Sequence, residues 1–332
     1  MTDLKETETQ LSTEFPIEPE LPICDAHHHL WERPQSRYMP DDLLKDIGGQ
    51  NIVKTVFVEC SSGYRKDGPD EMKPLGETEF VLDISTPGKF GQDGKMKIAA
   101  GIIGFVNLNL GERVAPVIEA QLAIGGKRLC GIRYCTAWDP NPGIKPYMNS
   151  PKGLLLDPNF QKGFSYLKKY GLSFDAVPFF HQIPEVAALA HNFPDTTIIV
   201  NHIGLPIYIA PYNNRYQEVI QEWRRNIKEL AMLPNIFMKL GGLGILPFNF
   251  GWNKRTDQPK SDELANVMAP YFNWCIDCFG TNRCMFESNF PEDKISYSYN
   301  SIWNAFKLIT RDFSPGERAA LFHDTAARIY RI

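Results

Sequence analysis

The sequence predicts an α/β protein with the architecture of a TIM (β/α)8 barrel. Short β-rich segments alternate with longer segments of helical periodicity, and eight such units fit within about 300 residues. The loops that follow the predicted strands are long and rich in aromatic and turn residues, as expected where strand ends carry a site. An open doubly wound sheet is the alternative, but histidines follow the first strand where a dinucleotide fold would place glycines.

The predicted elements follow from local composition. Strands are expected at β-rich, mostly apolar runs, which cover residues 23–29, 54–60, 97–106, 129–134, 172–180, 197–202, 236–239 and 284–289. Helix starts are marked by Asp157-Pro158, by Ile183-Pro184-Glu185 and by the capping box Ser314-Pro315-Gly316-Glu317. We expect one barrel domain over residues 22–332, preceded by a polar, acidic and flexible lead over residues 1–21.

Composition excludes several classes of function. The chain of 332 residues carries a net charge of -4 and contains no lysine- or arginine-rich block, which argues against nucleic acid as a partner. It has no apolar run long enough to span a membrane, and we do not expect its polar, acidic start to be a secretory signal. Seven scattered cysteines, an odd number, are typical of reduced thiols. We therefore expect a cytoplasmic protein with a small-molecule partner, and leave open whether it forms a homo-oligomer.

The run Asp25-Ala26-His27-His28-His29-Leu30-Trp31 holds three of the seven histidines. In a strand, the period of two places His27 and His29 on one face with Asp25 behind them, and turns His28 to the other. Two imidazoles fixed on one strand suit a divalent metal. Polar residues also end other predicted strands, namely Glu59, Arg133, His202, Lys239 and Asn289. In a barrel these ends meet at one crevice.

Five segments in order resemble the lactonase branch of the amidohydrolase superfamily. They are the histidine-rich run, Gly131-Ile132-Arg133, residues 193–202, Lys239-Leu240-Gly241-Gly242-Leu243 and residues 284–291 (CMFESNFP). Members of this branch open small cyclic esters in a (β/α)8 barrel, so the resemblance implies a hydrolase acting on a small, anionic lactone.

The resemblance also implies site residues. His27, His29 and His202 match a metal-binding histidine set, which would hold one divalent metal, zinc or manganese. Metal-independent catalysis stays open, because the pyrone-dicarboxylate hydrolases of this branch work without a metal. His181 matches a histidine at the end of the fifth strand, and Arg133 matches an arginine that could grip a substrate carboxylate. An ion pair of Arg133 with Glu59 or Glu287 is the alternative.

Asn289 departs from the pattern, since most of the superfamily has an aspartate there as general base and an amide cannot take a proton. Asp293 is the replacement that we predict, with Glu287 and Glu292 as further candidates. We also predict substrate-binding roles for Glu59, Tyr64, Trp138 and Lys239, which are polar or aromatic residues at or beside strand ends.

Two other functions stay open at this point. A metal-dependent decarboxylase of an aromatic or unsaturated acid can use the same barrel and needs no base to activate water, which fits Asn289. A non-catalytic binding protein could retain the pocket without the chemistry.

Overall fold

Eight strands of the computed structural model, which describes residues 14–145 and 150–332, form a single parallel sheet in sequence order. They are β1 (Ile23–His28), β4 (Ile52–Val58), β5 (Lys97–Gly104), β6 (Leu129–Cys135), β7 (Ser173–Val177), β8 (Ile198–Val200), β9 (Ile236–Leu240) and β10 (Cys284–Phe286). A short antiparallel hairpin of β2 (Trp31–Arg33) and β3 (Ser36–Tyr38) follows β1. Each of the eight predicted strands is present.

The sheet closes on itself between its first and last strands. His29 N donates to Phe290 O at 2.7 Å, and Asn289 N donates to His27 O at 2.9 Å. These bonds lie beyond the last residue of β10, so the barrel closes at the end where the predicted site residues lie. The architecture is the expected (β/α)8 barrel.

Helices follow the strands around the barrel: α1 (Pro40–Ile47), α2 (Leu75–Ile84), α3 (Ala115–Gly125), α4 (Pro158–Tyr170), α5 (Ile183–Asn192), α6 (Tyr216–Leu230), α7 (Ser261–Phe279), α8 (Tyr299–Ile309), α9 (Pro315–Ala319) and α10 (Thr325–Tyr330). A π-turn, Ala320–Asp324, joins the last two. The predicted caps are confirmed, because Asp157 accepts from Asn159 N at 2.8 Å and Ser314 forms the capping box with Glu317. No helix within the described ranges combines the length and apolarity needed to cross a bilayer.

The first strand contains a β-bulge that decides which side chains face the barrel interior. Asp25 pairs with Thr55 and His28 pairs with Phe57, so three steps along β1 match two steps along β4. Before the bulge, Cys24 belongs to the apolar cluster inside the barrel. Its neighbour Asp25 therefore faces outward, and the Asp25 carboxylate accepts hydrogen bonds from Ser288 and Tyr299. Simple alternation, which placed Asp25 on the same face as His27 and His29, is wrong for this residue.

The N-terminal lead is hydrogen-bonded to the barrel from residue 14 onwards. The Glu14 carboxylate accepts from Ser261 N at 3.1 Å, and Ile17 N donates to Asn304 Oδ1 at 2.9 Å. These contacts fix the segment on α7 and α8. Residues 1–13 of the predicted flexible lead lie outside the described part of the chain.

Candidate active site

A cavity of about 310 Å³ opens at the carboxyl ends of the barrel strands. Its buried polar lining comes from segments far apart in sequence: His29 after β1, Arg133 in β6, His202 after β8 and Asn289 after β10. The cavity lies where (β/α)8 enzymes carry their active sites. The remaining lining residues are Cys60, Cys135, Ala137, Lys145, Val177, Phe179, Leu205, Ile245, Leu246, Pro247, Glu292 and Ile295.

Three predicted histidines lie together at the base of this cavity. His27 Nε2 lies 3.2 Å from His29 Nε2, and the ring centroids of His27 and His202 are 4.8 Å apart. His29 Nδ1 donates to the carbonyl oxygen of Val58 at 2.8 Å. That bond fixes the tautomer of His29 and leaves its Nε2 as an acceptor.

Glu287 joins two of these imidazoles from below. Its Oε1 accepts from His202 Nδ1 at 2.8 Å and from His202 N at 3.1 Å. Its Oε2 lies 2.7 Å from His27 Nδ1, although the two atoms are not aligned for a hydrogen bond. The carboxylate is fully buried, so it orients the rings without meeting bulk solvent. Gly242 makes room for this arrangement, since a Cβ there would lie 2.0 Å from His202 Nδ1.

The imidazole cluster contains one contact between two acceptors. Burial lowers the pKa of both His27 and His29 well below the ordinary value, so each ring is neutral near pH 7 and carries one N–H. If the hydrogen of His27 is on Nδ1, its unprotonated Nε2 faces Nε2 of His29, which is also an acceptor. If the hydrogen is on Nε2, the unprotonated Nδ1 of His27 faces the Glu287 carboxylate, which is again an acceptor. A bound cation would relieve either conflict.

The donor set fits a divalent metal. His27, His202 and Glu287 each offer a ligand atom, and these three atoms lie within 4.8 Å of one another. His29 adds a second imidazole within 3.2 Å of His27. Imidazole and carboxylate are the ligands that zinc takes in catalytic sites.

Arg133 is held by Glu59 at the side of the cluster. Its Nε donates to Glu59 Oε1 at 2.8 Å, and its Nη2 donates to the Glu59 carbonyl oxygen. Its Nη1 lies 3.3 Å from His27 Nε2. The alternative ion pair with Glu59 is therefore present, yet Arg133 still lines the cavity, while Glu59 lies behind it.

Asn289 reaches the cavity with Asp293 behind it. Asn289 Nδ2 donates to Asp293 Oδ1 at 2.8 Å, while Asp293 Oδ2 accepts from Gly244 N at 3.0 Å and from the Tyr297 hydroxyl. Burial raises the pKa of Asp293 to about 7. Asp293 does not line the cavity itself, so it contacts the site through Asn289.

Besides His27, Glu59 and Asp293, which lie directly behind lining residues, four predicted site residues do not line the cavity. Lys239 is fully buried inside the barrel, with Nζ 2.8 Å from Asp175 Oδ2, because β9 places it deeper than the strand ends. His181 lies in the turn after β7, where its Nε2 contacts Asp139 Oδ2 at 3.0 Å. Tyr64 and Trp138 lie on the loops after β4 and β6, outside the cavity lining.

The partners of Glu287 in the structure differ from those that the sequence predicted. The sequence suggested it as a substitute base or a partner for Arg133, whereas the structure makes it the partner of His27 and His202. Its position two residues before Asn289 indicated the correct face and a deeper layer. Which imidazoles it would meet depends on β1 and β8, and nothing in the local sequence shows that.

Comparison with known proteins gives the family. Residues 24–332 match the model of a protein family described as amidohydrolase. The uncharacterized protein y4mH of Sinorhizobium fredii is 32% identical, covering 94% of this chain and 99% of its own length. An L-fucono-1,5-lactonase of Burkholderia ambifaria is 25% identical, covering 93% of this chain and 95% of its own.

Solved structures share the fold at lower identity. An amidohydrolase of Burkholderia multivorans with bound zinc has a TM-score of 0.70 and 22% identity, covering 93% of this chain and 99% of that one. A 5-carboxyvanillate decarboxylase of Sphingomonas paucimobilis has a TM-score of 0.54 and 12% identity, covering 94% of this chain and 99% of that one. These similarities support the fold class, in which both hydrolases and decarboxylases occur.

Proposed function

The chain belongs to the amidohydrolase family, and from that premise we propose that it hydrolyses a small, anionic lactone. The observation that carries the proposal is the meeting of His29, Arg133, His202 and Asn289 at one cavity, from four separate strand ends. Opening a cyclic ester is favoured by three kinds of group: imidazoles that can hold a Lewis acid, a fixed positive charge, and an acceptor such as an amide oxygen. The lactonase relative supports the same reaction class.

The proposed cofactor is one divalent metal held by His27, His29 and His202. Glu287, which also offers a ligand atom, already contacts Nδ1 of two of these rings, and we assign it to orienting them. The contact between two acceptors in the imidazole cluster supports it, as does the zinc bound by the related amidohydrolase structure. When bound, such a metal would polarise the lactone carbonyl and lower the pKa of water to about 7. Glu287 would fix the orientation of His27 and His202 from behind.

The other side chains bind and orient. Arg133, positioned by Glu59, places a positive charge beside the imidazoles and suits a substrate carboxylate. Asn289, which lines the cavity, donates to Asp293 through Nδ2, so its amide oxygen can serve as an acceptor. That oxygen would orient the attacking water, while Asp293 acts as a positioning residue for the amide.

The test replaces the two histidines of the first strand. We expect His27→Ala and His29→Ala each to abolish proton release from a panel of anionic lactones without changing the unfolding transition. His191→Ala, at an exposed position on α5, is the matched control and should keep full activity. Elemental analysis of protein purified without chelators should find near-stoichiometric zinc or manganese.

A decarboxylase is the second candidate, because Asn289 cannot accept a proton and decarboxylation needs no water-activating base. The two reactions differ in product: ring opening releases one proton per lactone, whereas decarboxylation releases CO2. Turnover with CO2 evolution would overturn the lactonase proposal. Lactone opening that survives both histidine substitutions would overturn the assignment of the reaction to these histidines.

A further inference from the structure

The polar and apolar side chains of the cavity are segregated. The floor, defined as His29, Arg133, His202 and Asn289, is polar and buried. The wall is defined as the buried side chains above it, which are Cys60, Cys135, Ala137, Val177, Phe179 and Leu205. Among the described lining residues, the wall contributes no hydroxyl, amide or charged side chain. Polar contacts to a ligand are therefore concentrated at the floor.

The rim of the cavity is also largely apolar. Leu246 is 61% exposed and Ile295 is 54% exposed, although both are large hydrophobic side chains. Both line the same cavity, together with the half-buried Ile245 and Pro247. The charged rim residues Lys145 and Glu292 have opposite signs. Exposed apolar side chains at the mouth of a pocket are typical of a surface that a ligand covers.

This segregation limits the ring substituents that the cavity accepts. A polyhydroxylated lactone would have to place its hydroxyl groups against the wall, away from water, and each hydroxyl without a partner is costly to bury. An alkyl substituent in the same place gains about fourfold in affinity for each methylene that it buries fully. The cavity of about 310 Å³ is at the small end of ligand pockets, so it suits one ring with a short substituent.

We propose that the substrate is a lactone acid with an apolar ring substituent, and not a sugar lactone. The ester and the carboxylate lie on the floor, and the substituent runs along Val177, Phe179 and Leu205 toward Leu246 and Ile295. The inference rests on the proposed function for the reaction, but the preference of the cavity can be measured by binding alone.

The binding experiment compares two stable monocarboxylates by calorimetry, octanoate and D-gluconate. We expect octanoate to bind about 100-fold more tightly, since apolar pockets reject hydroxyl-bearing analogues by factors of this size. Equal affinity, or tighter binding of gluconate, would overturn the inference whatever reaction the protein catalyses.

The kinetic experiment compares anionic five-membered lactones. Paraconic acid carrying hydrogen, propyl or pentyl next to the ring oxygen is measured against D-glucaro-1,4-lactone. We expect kcat/KM to rise two- to fourfold per methylene and to be lowest for the glucarolactone. Tight octanoate binding without hydrolysis of any lactone would overturn the lactonase proposal but support the preference for apolar substituents. Hydrolysis that favours the glucarolactone would support the lactonase proposal but overturn that preference.

A pair of identical substitutions localises the preference. Val177→Thr places a hydroxyl on the wall and should lower octanoate affinity about five- to tenfold, because the hydroxyl loses water without gaining a partner. Val186→Thr makes the same change on α5, outside the cavity lining, and should leave the affinity unchanged. Equal effects of the two substitutions would contradict the placement of the substituent on this wall. If Val177→Thr does not fold, the comparison of octanoate with D-gluconate on the wild-type protein still tests the preference for apolar ligands.

Discussion

The fully buried carboxylate of Glu287 contacts two imidazoles of the candidate active site. It contacts His202 Nδ1 at 2.8 Å and His27 Nδ1 at 2.7 Å; His27 lies in β1, whereas His202 follows β8. A carboxylate behind an imidazole fixes the ring and makes its other nitrogen a better ligand. The orientation of the cluster therefore depends on a residue that does not line the cavity.

We predict that Glu287→Gln lowers metal affinity or turnover about 10- to 100-fold, the range seen when such supporting groups are removed. The glutamine amide would present N–H groups toward one of the two imidazoles, where the carboxylate accepts. Metal content after dialysis and kcat/KM measure the effect. Glu185→Gln, on the half-buried face of α5, is the control. Full metal content together with full turnover in Glu287→Gln would contradict this role.

At the scale of elements, several glycines mark where two segments approach closely. A Cβ on Gly163 in α4 would lie 2.0 Å from the carbonyl oxygen of Leu108. A Cβ on Gly131 in β6 would lie 2.2 Å from Ser173 Oγ in β7. Gly131 belongs to a motif that also contains Arg133, so one part of that motif serves packing between strands while the other serves the cavity.

We predict that Gly163→Ala destabilises the protein by about 1–3 kcal/mol, because the added methyl group meets backbone atoms that cannot rotate away. Gly316→Ala is the matched substitution, since no atom lies within 4 Å of the position where its Cβ would be. That change should stabilise the protein by about 0.4–1 kcal/mol, because alanine lowers the conformational entropy of the unfolded chain. Urea unfolding measures both, and equal effects would contradict the packing explanation.

At the scale of the whole molecule, the C-terminal segment closes the end of the barrel opposite the cavity. Ala326 and Tyr330 of α10 belong to the same apolar cluster as Cys24 and Ala26 of β1. The Tyr330 hydroxyl donates to the Asp175 carboxylate at 3.1 Å, and this carboxylate also pairs with Lys239. The C-terminal helix therefore covers the layer of charged residues beneath the site.

We predict that Tyr330→Ala destabilises the protein by about 3–5 kcal/mol, as other deletions of buried aromatic side chains do. Tyr330→Phe should cost less, about 1.5–3 kcal/mol, because it removes the hydrogen bonds to the Asp175 carboxylate and keeps the packing. The free energy of unfolding in urea measures both. A phenylalanine variant as unstable as the alanine variant would show that the bond to Asp175, and not the packing, closes the barrel.

The amino-acid sequence by itself determined the eight strands, the caps of α4 and α9 and the presence of a histidine centre. These features depend on side-chain alternation and on hydrogen bonds over three or four residues, which the local sequence specifies. The predicted cluster of His27, His29 and His202 comes together in the structure, and Arg133 and Asn289 line the same cavity.

Only the tertiary structure decided the bulge in β1, the pairing of Glu287 with two imidazoles and the burial of Lys239 against Asp175. It also placed Asp293 behind Asn289. Each of these depends on the register between strands far apart in sequence, and a shift of one residue turns a side chain to the opposite face. The histidines at the centre were predictable from the sequence because one short segment supplies two of them, whereas the partners that orient them come from the other side of the barrel.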